Sequence, residues 1–182
     1  MNKIILRKTE ELEEWRRNFK GEINFIPTMG NLHNGHEKLI TTAKNSNCNT
    51  NLLSIFVNPL QFESKEDLKR YPKTVDKDIE IAFSNGADAI FIPNTIDIYP
   101  KNNKSISYLK ASKDLSSALC GLTRVGHFDG VCTVVYRLLK LIKPKSLYLG
   151  EKDWQQLLII KNLILEKAVS YTHLTLPTTP YV

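Results

Sequence analysis

Cysteine is scarce in this sequence. Cys48, Cys120 and Cys132 are the three in 182 residues, and no Cys-x-x-Cys occurs. An odd count without framework spacing excludes a disulfide scaffold and argues for a reduced, cytoplasmic setting. No apolar run is long enough to cross a bilayer, and the N-terminus lacks a signal peptide's apolar region and small-residue cleavage site. No membrane association is therefore expected. Histidines number four; His33 and His36 stand together, but His127 and His173 supply no second ligand pair for a metal site. Blocks of one charge sign are also missing. The net charge is +6, yet basic residues alternate with acids, as in Lys65-Glu66-Asp67-Leu68-Lys69-Arg70, without interleaved aromatics. That pattern argues against a nucleic-acid partner, and an anionic small substrate explains the surplus as well.

What remains is ordinary globular composition, 42% apolar and 24% charged, at a length suited to one domain or a domain plus an extra piece. Short apolar runs alternate with helical periods. Strands are expected at Ile4–Leu6, Glu22–Ile26, Asn51–Val57, Ala89–Ile92 and Ser146–Leu149, with an edge strand at Ile106–Leu109. Helices are expected at Glu10–Phe19 behind a Thr9 cap, at Glu37–Asn45, at Thr74–Asn85, at Leu115–Leu119, at Asp129–Lys143 and at Leu157–Lys167. This alternation predicts an α/β fold, a parallel sheet with helices on both faces.

The chain is organised around Pro27-Thr28-Met29-Gly30-Asn31-Leu32-His33-Asn34-Gly35-His36, which bridges a strand end and a helix start. Gly30 and Gly35 permit tight backbone and close ligand approach. The free N–H groups of the following helix favour an anion there, and two histidines can donate to phosphate oxygens. His36 could also pass a proton near neutral pH. A second polar cluster, Asn58-Pro59-Leu60-Gln61, follows a strand buried on both faces; it reads either as a ligand loop or as a surface turn. A third, Gly150-Glu151-Lys152-Asp153-Trp154-Gln155-Gln156, again joins strand to helix. Lys152 there suits phosphate, and Asp153 suits magnesium or a ribose hydroxyl; a surface lysine and a capping acid are the alternatives. Arg124 sits in a glycine-interrupted loop that is either a phosphate contact or solvated. The apolar positions of the 129–143 helix (Val131, Val134, Val135, Leu138, Leu139 and Ile142) read as core. After Lys167 the chain turns to threonine and proline with no charge and no convincing strand pattern, so residues 168–182 are expected to be a non-native tail, are left out of the fold reading, and His173 is no site candidate.

Three separated segments, Pro27–His36, Phe56–Phe62 and Gly150–Gln156, resemble in this order the pantothenate synthetase (pantoate–β-alanine ligase) family, and Gly126-His127-Phe128-Asp129-Gly130-Val131 fits as well. The His-x-Gly-His element alone is shared across the nucleotidyltransferase superfamily, including class I aminoacyl-tRNA synthetases; the combination is specific. The resemblance covers about residues 1–167 and implies a Rossmann-like ATP- and pantoate-binding domain. It implies a two-step ligation with magnesium: pantoate attacks the α-phosphate of ATP to give pantoyl adenylate and pyrophosphate, then β-alanine displaces AMP to give pantothenate.

Carried onto this sequence, the resemblance makes His36, His33 and Lys152 catalytic, with His36 the proton donor. Met29, Gly30, Asn31, Leu32, His33, Asn34, Gly35 and His36, with Gly150, Glu151, Lys152 and Asp153, would line the ATP site. Gln61, Gln156 and Asn58 would hold pantoate or β-alanine; metal ligands stay unassigned. Asn31, Asn34 and Trp154 depart mildly from the family pattern. A Met-Ser-Ser-Arg-Asn-type loop and the C-terminal domain that follows it in the family, which contributes to a homodimer, are not found. An incomplete, poorly active enzyme is therefore expected. The alternatives are a non-catalytic nucleotide-binding fragment and another adenylate-forming nucleotidyltransferase.

Overall fold

The computed structural model describes residues 3–46, 50–101, 106–167 and 173–175. Strand β1 (Ile4–Leu6) leads to helix α1 (Thr9–Asn18), β2 (Ile23–Thr28), α2 (Asn34–Lys44) and β3 (Thr50–Ile55). A 3₁₀ turn at Pro59–Gln61, α3 (Lys65–Arg70), α4 (Val75–Asn85) and β4 (Ala89–Phe91) follow. Three short helices, α5 (Thr95–Ile98), α6 (Lys113–Ser116) and α7 (Cys120–Thr123), precede α8 (His127–Ile142). The described chain closes with β5 (Ser146–Tyr148), a 3₁₀ turn at Glu151–Asp153, α9 (Trp154–Glu166) and β6 (His173–Thr175).

All strand pairs are parallel, and the sheet order is β1-β4-β3-β2-β5-β6. From β2 the chain moves outward through β3 to β4, then returns to place β5 and β6 on the other side. The order therefore reverses between β2 and β5, and the crevice outside their carboxyl ends is where such sheets take ligands. Side-chain alternation sends Phe25, Leu52, Phe91 and Leu147 to a core shared with α1, α8 and α9. Ile26, Leu53, Ile55 and Ile90 go to the opposite core, under α2 and α4. The expected helices on both faces of a parallel sheet are present.

Several local expectations are corrected. Lys8, not Thr9, is the N-cap of α1, because Glu11 accepts the backbone N–H groups of Arg7 and Lys8 while the Thr9 hydroxyl donates to the Asp97 carbonyl. Ile106–Leu109 forms no strand: the Leu109 N–H goes to Thr133 Oγ1 on α8 and leaves no ladder to join. Helix α2 begins three residues earlier than expected, since His33 caps it. The 168–182 tail lies outside the described residues except at β6. There Ser146, Leu147 and Tyr148 pair with His173, Leu174 and Thr175, a strand where the sequence offers no convincing strand pattern. Edge pairing uses backbone groups, which need no hydrophobic alternation.

Candidate active site

The turn after β2 is tied down from below. Thr28 Oγ1 donates to the Ser54 carbonyl at 2.7 Å and accepts the Gly30 N–H at 3.2 Å. Gly30 has φ +84°, and a Cβ there would lie 2.8 Å from Asp78 Oδ2. Asn31 follows at φ 51°, a left-handed conformation that asparagine tolerates. Asp78, buried on α4, accepts the Asn31 N–H (3.0 Å), the Leu32 N–H (2.8 Å) and the Thr74 hydroxyl (3.0 Å). Its carboxylate thus takes the backbone donors that face away from the crevice. Leu32 is buried in the α2–α4 core, so it anchors this loop and does not line the crevice.

Past this anchor the two histidines build the start of α2. His33 Nδ1 accepts the Gly35 N–H at 3.1 Å, and His36 Nδ1 accepts the His33 N–H at 3.4 Å. A neutral ring whose Nδ1 accepts carries its proton on Nε2, so each ring keeps one N–H for a ligand. The ring centroids are 4.3 Å apart. Burial, and then the neighbouring His33, lower the His36 pKa to about 4, against a smaller opposing pull from Asp78. At pH 7 His36 is therefore neutral. The expected proton donor becomes a neutral hydrogen-bond donor, because the half-buried ring holds no extra proton to give.

Around the switch point these residues open on one cleft of about 750 Å³. Met29, His33, Asn34, Gly35 and His36 line it from the β2–α2 turn, Asn58 and Gln61 from the loop after β3, and Gly150, Glu151, Lys152, Asp153 and Gln156 from the β5–α9 turn. All three sequence clusters thus meet in one space. The N-terminal ends of α2 and α9 both face it, which biases that end towards an anion. Lys152 is exposed there and makes no ion pair among the described residues. Gly30 and Asn31 lie behind the lining, beside Asp78.

The other end is apolar and buried. Val131, Val134, Val135 and Leu138 of α8 form its wall with Phe56, so the expected core positions serve the cleft as well. Asn58 is buried and fully engaged. Its Nδ2 donates to the Gly130 carbonyl (3.0 Å) and Gln61 Oε1 (3.1 Å), while its Oδ1 accepts the Leu60 N–H (3.3 Å) and the Tyr99 hydroxyl (3.0 Å). A backbone carbonyl and a backbone N–H fix which way this amide points. Asn58 therefore orients Gln61 and has no hydrogen-bonding capacity left for a ligand. The Gln61 Nε2 ends 2.9 Å from the Met29 sulfur, a weak acceptor that a ligand oxygen readily replaces. Gln156 faces the cleft with no hydrogen bond among the described residues. His127 donates from Nδ1 to the Gln61 carbonyl at 2.8 Å; burial lowers its pKa, and this bond opposes the shift.

Arg124 is not in the cleft. It lines a separate hollow of about 400 Å³ with Lys110 and Lys113, which favours the solvated-loop alternative. Sequence reasoning missed Asp78, Tyr99 and the His127 contact, and also Ser54 and Tyr71, which line the cleft. For Asp78 a signal existed: with Val75, Ile79 and Ala82 it occupies the i, i+3, i+4, i+7 face that α4 buries, where a lone carboxylate needs partners.

Fold and cleft together define a Rossmann-like α/β protein with its ligand crevice at the switch point of the sheet. The pantoate–β-alanine ligase family model matches residues 4–179, and the chain belongs to that family. It is 83% identical over 178 residues to a bifunctional pantoate ligase/cytidylate kinase of Prochlorococcus marinus subsp. pastoris, covering 98% of this chain and 35% of the relative. A relative of the same description from strain MIT 9301 is 71% identical over the same shares. The chain thus spans about a third of the length of these curated relatives. Among solved structures, a Francisella tularensis pantoate–β-alanine ligase complexed with β-γ ATP and β-alanine superposes with a TM-score of 0.91 at 38% identity, covering 99% of this chain and 68% of that one. A Thermus thermophilus pantothenate synthetase gives 0.87 at 33% identity, covering 98% and 63%.

Proposed function

We propose that this chain carries the ATP- and pantoate-binding part of a pantoate–β-alanine ligase, which forms pantoyl adenylate and then pantothenate with release of pyrophosphate and AMP. One observation carries the reading: a donor-rich end at two helix N-termini is continuous with a buried, mostly apolar end that offers the uncharged Gln61 amide. The first suits a triphosphate and the second a small hydroxy acid. In the adenylation step the pantoate carboxylate attacks the α-phosphorus, and charge builds on the phosphate oxygens. Fixed donors at His33 Nε2, His36 Nε2 and the α2 N-terminus, with Lys152, stabilise that charge without rearranging. Gln61 and Gln156 hold the acid in line, and no enzyme nucleophile is required.

Magnesium fits as a companion of the triphosphate and not as a resident ion. Among the described residues no three His, Cys, Asp or Glu side chains gather to hold a metal. Glu151 and Asp153 are the carboxylates lining the cleft, and one or two carboxylates plus phosphate is an ordinary magnesium environment. The ion would supply charge neutralisation to the phosphates. A homodimer of the full-length protein and a cytoplasmic setting, both implied by the family, belong to the same proposal.

Pantoate-dependent exchange of labelled pyrophosphate into ATP tests the first step. The expected result is exchange that needs pantoate and magnesium and does not need β-alanine. ATP binding without exchange, for this chain and for the chain placed within the full length of its relatives, would replace this reading with a nucleotide-binding module.

A further inference from the structure

Strand β3 carries, one position before its end, a hydroxyl that the fold itself does not need. Every position from Thr50 to Ile55 is buried, and alternation points Leu52, Ser54 and then Phe56 towards α8, with Leu53 and Ile55 on the other face. Ser54 is fully buried, yet its Oγ has no hydrogen-bond partner among the described residues. The Thr28 hydroxyl binds its carbonyl, not its side chain, and Pro27, opposite it on β2, has no N–H to offer. A buried hydroxyl left unpaired costs folding free energy that alanine at the same place would avoid. Two other buried polar atoms lack partners among the described residues, Asn24 Oδ1 and Arg137 Nε, and neither residue lines the cleft. Ser54 does, in a lining that also includes Phe56, Gln61 and the α8 valines.

We propose that Ser54 is a specificity-determining residue of the acid subsite, its Oγ pairing with a hydroxyl of the hydroxy acid. The assignment rests on the ligase reading and deepens it. A hydroxyl both donates and accepts, so it matches another hydroxyl in either sense. Gln61 Nε2 offers only N–H donors, which suit the carboxylate or a lone pair of the same acid. The valines and Phe56 of the same lining are apolar, so an acid that lacks the matching hydroxyl leaves Ser54 without that partner in a largely apolar pocket. A site built to hydrogen-bond a substrate hydroxyl discriminates strongly against analogues without it.

The test is calorimetric binding to this chain and to Ser54→Ala, with the unreactive α,β-methylene analogue of ATP and magnesium present. The ligands are pantoate, its 2-deoxy analogue and its 4-deoxy analogue. The expected result is that Ser54→Ala weakens pantoate about fivefold or more, as loss of one buried hydrogen bond does. Binding of one deoxy analogue should stay unchanged, so the preference for that hydroxyl collapses, and the thermal midpoint should hold or rise. An unchanged preference at both positions overturns the assignment, whether pantoate binding is unaffected or all three acids weaken together. If the unsubstituted chain binds none of the acids, alone and placed within the full length of its relatives, the ligase reading fails and this assignment falls with it, which tells the two failures apart.

Discussion

At the end of the cleft under α2 and α9, the donors come from backbone and from residues adjacent in sequence; at the end under α8, they come from buried side chains assembled over long distances. His33, Asn34, Gly35 and His36 are consecutive, and their geometry is set by one helix cap. Gln61, by contrast, is oriented by Asn58, which is held by Tyr99 and by Gly130, 41 and 72 residues away. The first end is half-open and suits a hydrated, highly charged group. The second is buried and largely apolar, and a polar atom in it costs free energy unless it is paired. Charge stabilisation and substrate discrimination are thereby separated in one cavity, and substitutions at the two ends should fail in different ways.

The largest effect is expected at the open end. On the proposed reaction, His36→Ala removes a fixed donor to the developing phosphate charge and should slow pantoate-dependent pyrophosphate release about 10²- to 10³-fold. The thermal midpoint should hardly move, because the ring is half-buried and its one bond, to the His33 N–H, is long at 3.4 Å. Initial rates and a melting curve on the same preparation decide the matter. A rate loss matched by an equal loss of stability would make His36 a structural cap, and the contrast between the two ends would dissolve.

This division also explains what is legible in the sequence. The open end can be read because its chemistry is contiguous: a buried strand, two glycines, two histidines and an amphipathic helix in order. Even there the sequence puts the start of α2 too late, since histidine is not a usual helix cap and only its Nδ1 contact to Gly35 reveals the role. At the closed end, Asn58 and Gln61 are visible as polar residues after a buried strand. Their different duties are not, because the duties follow from partners just past α5 and on α8. The α8 valines read correctly as buried, but a helical period cannot say whether an apolar face meets core or cleft. Ile106–Leu109 has strand-like composition, and its fate depends on one hydroxyl, Thr133, across 24 residues.

Asp78 should give the next largest effect, and it joins the two means of construction, a long-range carboxylate holding a local loop. Asp78→Ala leaves the Asn31 and Leu32 N–H groups without their acceptor and should cost roughly 2–3 kcal/mol of unfolding free energy. Urea denaturation measures this. ATP affinity should fall with it, because the turn that presents His33 and His36 loses its anchor. Asp78→Asn retains an acceptor oxygen and the side-chain shape, so it should recover part of both losses. A stable Asp78→Ala protein with normal ATP binding would show that the turn needs no support from α4.

The smallest expected effect is a pH dependence, and it sharpens the electrostatic side of the contrast. His36 is lowered from its ordinary 6.5 to about 4, chiefly by burial. Between those two values the unfolded chain binds the proton and the folded chain does not, so acid favours unfolding. Stability linked to this ring is complete above about pH 6.5 and declines as the pH falls towards 4. The ring is partly solvated, which reduces the swing to about 1 kcal/mol between pH 7 and pH 5. Other groups titrate in the same range, so the informative quantity is the difference between the unsubstituted chain and His36→Gln, which cannot charge. Urea midpoints that separate as the pH falls, the unsubstituted chain dropping below His36→Gln, would place the desolvated histidine at the open end, neutral at pH 7. Parallel curves would mean that His36 titrates alike in folded and unfolded chains, and the open end would then offer phosphate a ring as readily charged as any in water.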